Sequence, residues 1–232
     1  MYLIIGLILL IFIIIKFRLL INFKSFFKRG FRPIRGKWGI YCYHGSQGKG
    51  KTFSLTEYVV THKDKSIYYS NYHLNGIEYN FYTGFDGLMR IKDDLDNGKI
   101  IVPKGKQLVI IYDEIFTELM KGSKLSKPVL DFLCQMRKRH IIFLTTAQYW
   151  SEIPISFRRF CRYAIKCSTI PLLFNGILIK KFEDAENMKW DEREMDFVAP
   201  LIKTQISKYR LDVSKAYDTF ERVTSSPCEA KK

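Results

Sequence analysis

Apolar and polar positions follow two different patterns along this chain. Residues 2–15, YLIIGLILLIFIII, are apolar without interruption, and the run continues past Lys16 and Arg18 into Leu19, Leu20, Ile21 and Phe23. Beyond residue 37 the pattern breaks into short apolar runs separated by amphipathic stretches. Strands are predicted at Trp38–Tyr43, Ser66–Asn71, Gln107–Tyr112, Ile141–Thr146 and Arg162–Ser168, with a later hairpin through Leu172–Asn175 and Ile177–Phe182. Helical spacing predicts helices over Lys51–Thr61, Asp86–Asn97, Ser126–Lys138 and Ser151–Arg159. Strands separated by helices imply an α/β fold with a mostly parallel sheet flanked by helices. The runs VIIY and IIFL lack polar alternation, as central strands of such a sheet should.

The N-terminal run predicts a transmembrane anchor over residues 1–23. At 1.5 Å per residue its uncharged part reaches only about 21 Å against a hydrocarbon core of ~30 Å, so Lys16 and Arg18 would have to snorkel. A cleaved leader fits less well, because no charged segment precedes the run and no small-residue cleavage site follows it. Lys24, Lys28, Arg29, Arg32, Arg35 and Lys37 come after the run, in a basic juxtamembrane linker over 24–37. The positive-inside rule then predicts a single-pass protein with its N-terminus outside and the rest cytoplasmic, and the basic cluster could hold anionic lipid headgroups.

Charge changes meaning once this segment is set apart. The formal net charge of the 232 residues is +15, and eight basic and no acidic residues fall within 1–37. The remainder carries an excess of only seven, compatible with nucleic acid and too small to demand it. With 47% hydrophobic residues the body can bury a sizeable core, which excludes a disordered chain. The five cysteines form no CxxC pair and no metal-ligand spacing with the histidines, so they read as reduced thiols.

Three motifs carry chemistry. GSQGKGKT, comprising Gly45, Ser46, Gln47, Gly48, Lys49, Gly50, Lys51 and Thr52, satisfies GxxxxGK[ST] between a predicted strand and a predicted helix. Its glycines let backbone amides curl around a phosphate, Lys51 supplies charge to the terminal phosphates, and Thr52 offers a hydroxyl to Mg²⁺. LVIIYDE, residues 108–114, is an apolar run ending in two carboxylates, a Walker B arrangement that sets Asp113 toward Mg²⁺ and Glu114 toward an attacking water. Taken alone, such a pair would serve as a helix N-cap; following a P-loop it points to hydrolysis. IIFLTTAQ, residues 141–148, ends a buried strand with Gln148, placed to sense the terminal phosphate. The absence of an NKxD signature favours ATP over GTP. Arg137 and Arg139 are alternative arginine fingers toward a neighbouring subunit, although cations at a helix C-terminus also serve structure. Arg158 and Arg159 rival them. In KGSKLSK, residues 121–127, Lys121, Lys124 and Lys127 are candidate DNA contacts to phosphate.

The order of these motifs resembles the FtsK–HerA superfamily of P-loop ATPases. Within it the sequence is similar to the zonular occludens toxin-like assembly ATPases of filamentous phages and to viral genome-packaging ATPases. The resemblance covers roughly residues 38–168. SIYYSNYHLNG is similar to an SN or TN strand end of the toxin-like proteins, and AYDTFE to a closing YDT element of some viral relatives. The resemblance implies a RecA-like ATPase domain, here over 38–223 with a polar tail over 224–232, and a homo-oligomer in the form of a hexameric ring. It also implies sequence-independent DNA as a partner, phage or viral assembly proteins, and a location in a host inner membrane or virion membrane. A nucleotide-dependent membrane scaffold or a plasmid DNA-transfer ATPase are the alternatives.

Overall fold

The computed structural model describes residues 2–16, 19–21, 38–115, 119, 125–170 and 176–218. In chain order the elements are α1 (Tyr2–Lys16), β1 (Leu19–Ile21), β2 (Gly39–His44), α2 (Lys51–His62), β3 (Ser66–Ser70), β4 (Asn80–Phe81), α3 (Gly84–Asp96), β5 (Gln107–Tyr112) and α4 (Lys127–Gln135). They continue with β6 (Ile141–Ala147), α5 (Ile155–Arg158), β7 (Cys161–Ile170), β8 (Ile177–Asp184), β9 (Lys189–Asp191), β10 (Asp196–Val198), β11 (Leu201–Lys208) and α6 (Leu211–Ser214).

One nine-stranded sheet runs in the order β1-β11-β8-β7-β2-β6-β5-β3-β4. From β4 through β7 every pairing is parallel. At β7 the direction turns, because β8 returns antiparallel to it and β11 antiparallel to β8. The parallel half is an α/β sheet covered on both faces. Ile40, Cys42, Ile110 and Phe143 point into one buried cluster, while Tyr41, Tyr43, Val109, Ile111 and Leu144 point into the other, against Leu55, Tyr58 and Val59 of α2. Strands apolar on both faces read as unbroken hydrophobic runs, and the sequence shows them as such.

The N-terminal segment departs from expectation. Helix α1 has 15 residues, and no helix among the described residues is long and apolar enough to cross a membrane. At 1.5 Å per residue α1 is only about 22 Å long. The apolar run then divides, since Leu19–Ile21 pair in parallel with Thr204–Ile206 of β11. This overturns the anchor over 1–23 and the single-pass placement in a host or virion membrane that rested on it.

Other differences are local. The helix expected over Ser151–Arg159 is a 3₁₀ turn at Trp150–Glu152 followed by α5. Pro154 explains the break, because the preceding Ile153 is held extended at φ −73° and ψ 134°. The second arm of the predicted hairpin is β8, partnered by β7. Its first arm at 172–175, the linker at 24–37 and the tail at 224–232 lie outside the described residues.

Candidate functional site

The P-loop joins β2 to α2 at the C-terminal edge of the parallel strands, and neighbouring strands hold both of its ends. The Gly45 amide donates to the Gln148 carbonyl at the tip of β6, at 3.1 Å. A Cβ at Gly45 would meet the Cys167 carbonyl oxygen of β7 at 2.6 Å. Gly50, the N-cap of α2, has φ 74°, and a Cβ there would lie 2.8 Å from Leu178 Cδ1. The Cys167 backbone leaves no room for a side chain at Gly45, and at Gly50 the left-handed φ favours glycine. No side chain among the described residues caps α2, so its first amides face the loop, where the helix dipole favours an anion. Lys51 Nζ donates to the Ser46 carbonyl at 3.2 Å across the loop. Burial lowers the Lys51 pKa, and the nearby Asp113 carboxylate works against that shift.

Asp113 follows β5 and is 5% exposed. The Thr52 hydroxyl donates to its carboxylate at 3.0 Å, and the Thr146 hydroxyl of β6 also donates to it. Asn71, just after β3, clamps the Asp113 backbone from the other side. Its side-chain amide donates to the Asp113 carbonyl at 3.0 Å, and its oxygen accepts from the Asp113 amide at 2.7 Å. Burial pushes the Asp113 carboxyl up to about 6 against these two hydroxyl bonds, with the neighbouring Glu114 adding to the rise. Glu114 stands at φ 56°, a left-handed conformation uncommon for a residue with a side chain, and its amide donates to Thr146 Oγ1 at 2.8 Å.

Gln47, Gly48, Gly50, Lys51, Thr52, Asp113 and Glu114 line one cleft of about 520 Å³. The other candidates fall elsewhere. Gln148 contributes its carbonyl to the base of the P-loop but does not line the cleft, and Lys49 donates its amide to the Ser46 carbonyl at 3.3 Å. Arg137 pairs with Glu186 at 2.7 Å and Arg139 with Asp96 at 2.6 Å, beside the N-terminal ends of the parallel strands, away from the chain's own cleft. Arg158 is buried in an ion pair with Asp196 at 2.8 Å, while Arg159 is exposed. Lys127 is the exposed first residue of α4; Lys121 and Lys124 lie outside the described residues.

Two positions that shape the site carried no assigned role in the sequence. Thr146 and Asn71 stand where apolar runs end in polar residues, one on each strand beside β5. That placement is their signal: in a parallel sheet, polar residues at the strand tips flanking an acidic pair can bond to it.

No family model matches the chain, and no curated protein matches it in sequence. Among solved structures, the fold is similar to that of the N-terminal domain of zonular occludens toxin from Neisseria meningitidis, with TM-score 0.51 and 15% identity, covering 79% of this chain and 100% of that one. The genome-packaging NTPase B204 from Sulfolobus turreted icosahedral virus 2 is a further neighbour at TM-score 0.44 and 12% identity, covering 71% of this chain and 98% of that one. The first of these comes from one of the groups that the motif order resembles, and the chain shares the fold of that toxin domain.

Proposed function

We infer that the chain is a Mg²⁺-dependent P-loop ATPase whose hydrolysis drives phage or viral DNA during virion assembly, extrusion or genome packaging. The observation that carries this is the meeting of Lys51, Thr52, Asp113 and Glu114 in one cleft at the uncapped start of α2. The α2 amides and Lys51 bind the β- and γ-phosphates. Thr52 and Asp113 offer hard oxygen donors and are the residues that would hold Mg²⁺. When bound, the ion supplies neutralising charge at the terminal phosphates. Glu114 orients the attacking water and accepts its proton as the water oxygen bonds to the γ-phosphorus and ADP departs with the bridging oxygen.

The remaining roles extend the same reading. Gln148, at the tip of the strand between β2 and β5, lies outside the cleft lining and would sense the terminal phosphate through the P-loop, whose Gly45 amide its carbonyl holds. In a hexameric ring Arg137 or Arg139 of the adjoining subunit approaches the site after exchanging its own carboxylate partner. Lys121, Lys124 and Lys127 track the DNA backbone without reading sequence. The test is ATP turnover by the full chain with and without DNA, beside Lys51→Ala and Glu114→Gln. DNA-stimulated turnover that Glu114→Gln lowers by at least about a hundredfold while retaining ATP binding is expected. Nucleotide binding without DNA-stimulated turnover in any oligomer would reduce the protein to a nucleotide-dependent switch.

A further inference from the structure

The cleft continues beyond the phosphate loop. From Asp113 and Glu114 it passes the start of α2 and runs over Thr169, Ile177 and Leu178, where β7 ends and β8 begins, to Tyr209 just after β11. In the sheet, β5 lies on one side of β2, and β7, β8 and β11 lie on the other. A ligand with its phosphates on the loop therefore has its reacting end toward β5 and its opposite end toward β8.

That opposite end is chemically distinct. The Phe53 ring stacks on Tyr209, with centroids 4.7 Å apart and planes 19° from parallel. Phe53 is 4% exposed, whereas Tyr209 is 41% exposed, so one ring forms the support and the other the accessible shelf. The Tyr209 amide donates to the Gly176 carbonyl at 3.0 Å, fixing the shelf to the start of β8. Phe53, Thr169, Ile177, Leu178 and Tyr209 include no charged side chain.

We propose that the Phe53–Tyr209 shelf is the nucleobase subsite, and that it holds a purine by stacking area without reading its hydrogen-bonding edge. This rests on the reading of the P-loop as a triphosphate site, and it widens the substrate from ATP to purine nucleoside triphosphates in general. Stacking on an aromatic face tolerates any base of similar area, whereas strong discrimination requires groups left unpaired by the wrong partner. Asp218 also lines the cleft and is the acidic group to be examined as an edge reader.

The test is equilibrium competition on the full chain among ATP, GTP, CTP and inorganic tripolyphosphate. ATP and GTP are expected within about threefold of each other, with both binding about tenfold or more tighter than tripolyphosphate. Tyr209→Ala removes most of that advantage and leaves tripolyphosphate affinity unchanged, which also shows that the variant is folded. Tyr209→Trp retains the advantage and adds an emission, above that of the three native tryptophans, quenched by ATP and GTP but not by tripolyphosphate. Asp218→Asn leaves the ATP-to-GTP ratio as it was. A ratio above about tenfold in the unmodified chain, native ATP affinity in Tyr209→Ala, an unquenched Tyr209→Trp at saturating ATP, or a shifted ratio in Asp218→Asn each overturns the subsite. All four leave the triphosphate site standing. Equal tripolyphosphate binding by Lys51→Ala and the unmodified chain would instead remove the foundation beneath both.

Discussion

The two halves of the sheet bury different chemistry. In its parallel half the central strands β2, β5 and β6 are apolar on both faces, and polar groups gather at the tips, where Asp113, Thr146 and Asn71 meet. From β8 to β11 polar side chains go into the interior. Lys180 and Glu57 are both 0% exposed and form an ion pair between β8 and α2, and Gln205 and Ser207 of β11 are buried at 2% and 0%. One half positions chemistry at its edge. The other binds itself to the back of the P-loop helix through charge.

The largest effect should come from breaking that ion pair. Lys180→Ala leaves Glu57 buried and uncompensated, and a loss of about 3–5 kcal/mol is expected in denaturant unfolding. Replacing both partners, Glu57→Met with Lys180→Met, should recover most of the loss, since a buried pair often contributes little beyond well-packed apolar groups. Failure of the double variant to recover would mean that the pair does more than satisfy itself.

Asp113→Asn probes the opposite half. The rise of the Asp113 carboxyl from the usual 3.8 to about 6 corresponds to roughly 3 kcal/mol. Between these values the folded state binds more protons than the unfolded, so this residue's contribution is complete below pH 3.8 and is lost as pH rises through about 6. Unliganded Asp113→Asn should therefore melt higher than the unmodified chain at pH 8, with a flatter stability profile between pH 4 and 6. Its Mg²⁺-dependent nucleotide binding should be lost. A lower melting temperature at pH 8 would show that the hydroxyl bonds outweigh desolvation.

Asn71→Ala removes two bonds to the Asp113 backbone and should cost about 1–3 kcal/mol together with part of the turnover. The smallest effect concerns Lys203, whose ammonium lies 4.4 Å from the Phe182 ring centroid and whose pKa burial lowers to about 8, with Lys180 adding to the shift. Between about pH 8 and 10.5 the unfolded state holds the extra proton, so stability should rise with pH. Lys203→Met should abolish that rise in a pH series of thermal melts. The two halves thus carry pH dependences of opposite sign in separate windows.

The same contrast explains what was visible in the sequence. β2, β5 and β6 appear as unbroken apolar runs because both of their faces are covered, and the P-loop and acidic pair sit at their ends as local patterns. β11 reads LIKTQISK, with polar residues on its buried face, so hydrophobic periodicity gives no reason to place it in a core. Its inward Gln205 lies opposite Lys180 in the sheet, whose partner Glu57 is 123 residues away in sequence from Lys180. No window along the chain contains that pairing. The Asn71 clamp was hidden for a similar reason, since it spans 42 residues to reach Asp113. The apolar N-terminal run misled because hydropathy measures how apolar a segment is and not where its helix stops, and α1 stops at Lys16.

Gly45 has an evolutionary consequence. Its missing Cβ makes room for the Cys167 carbonyl, a demand set by the closeness of two strands, whatever occupies the loop. A descendant that abandoned nucleotides could shed Lys51 at once, yet would still have to keep glycine at 45 for as long as it kept this sheet. Part of the P-loop signature is therefore a fossil of architecture, and a glycine at this place in a degenerate copy would testify to shared fold long after the activity had gone.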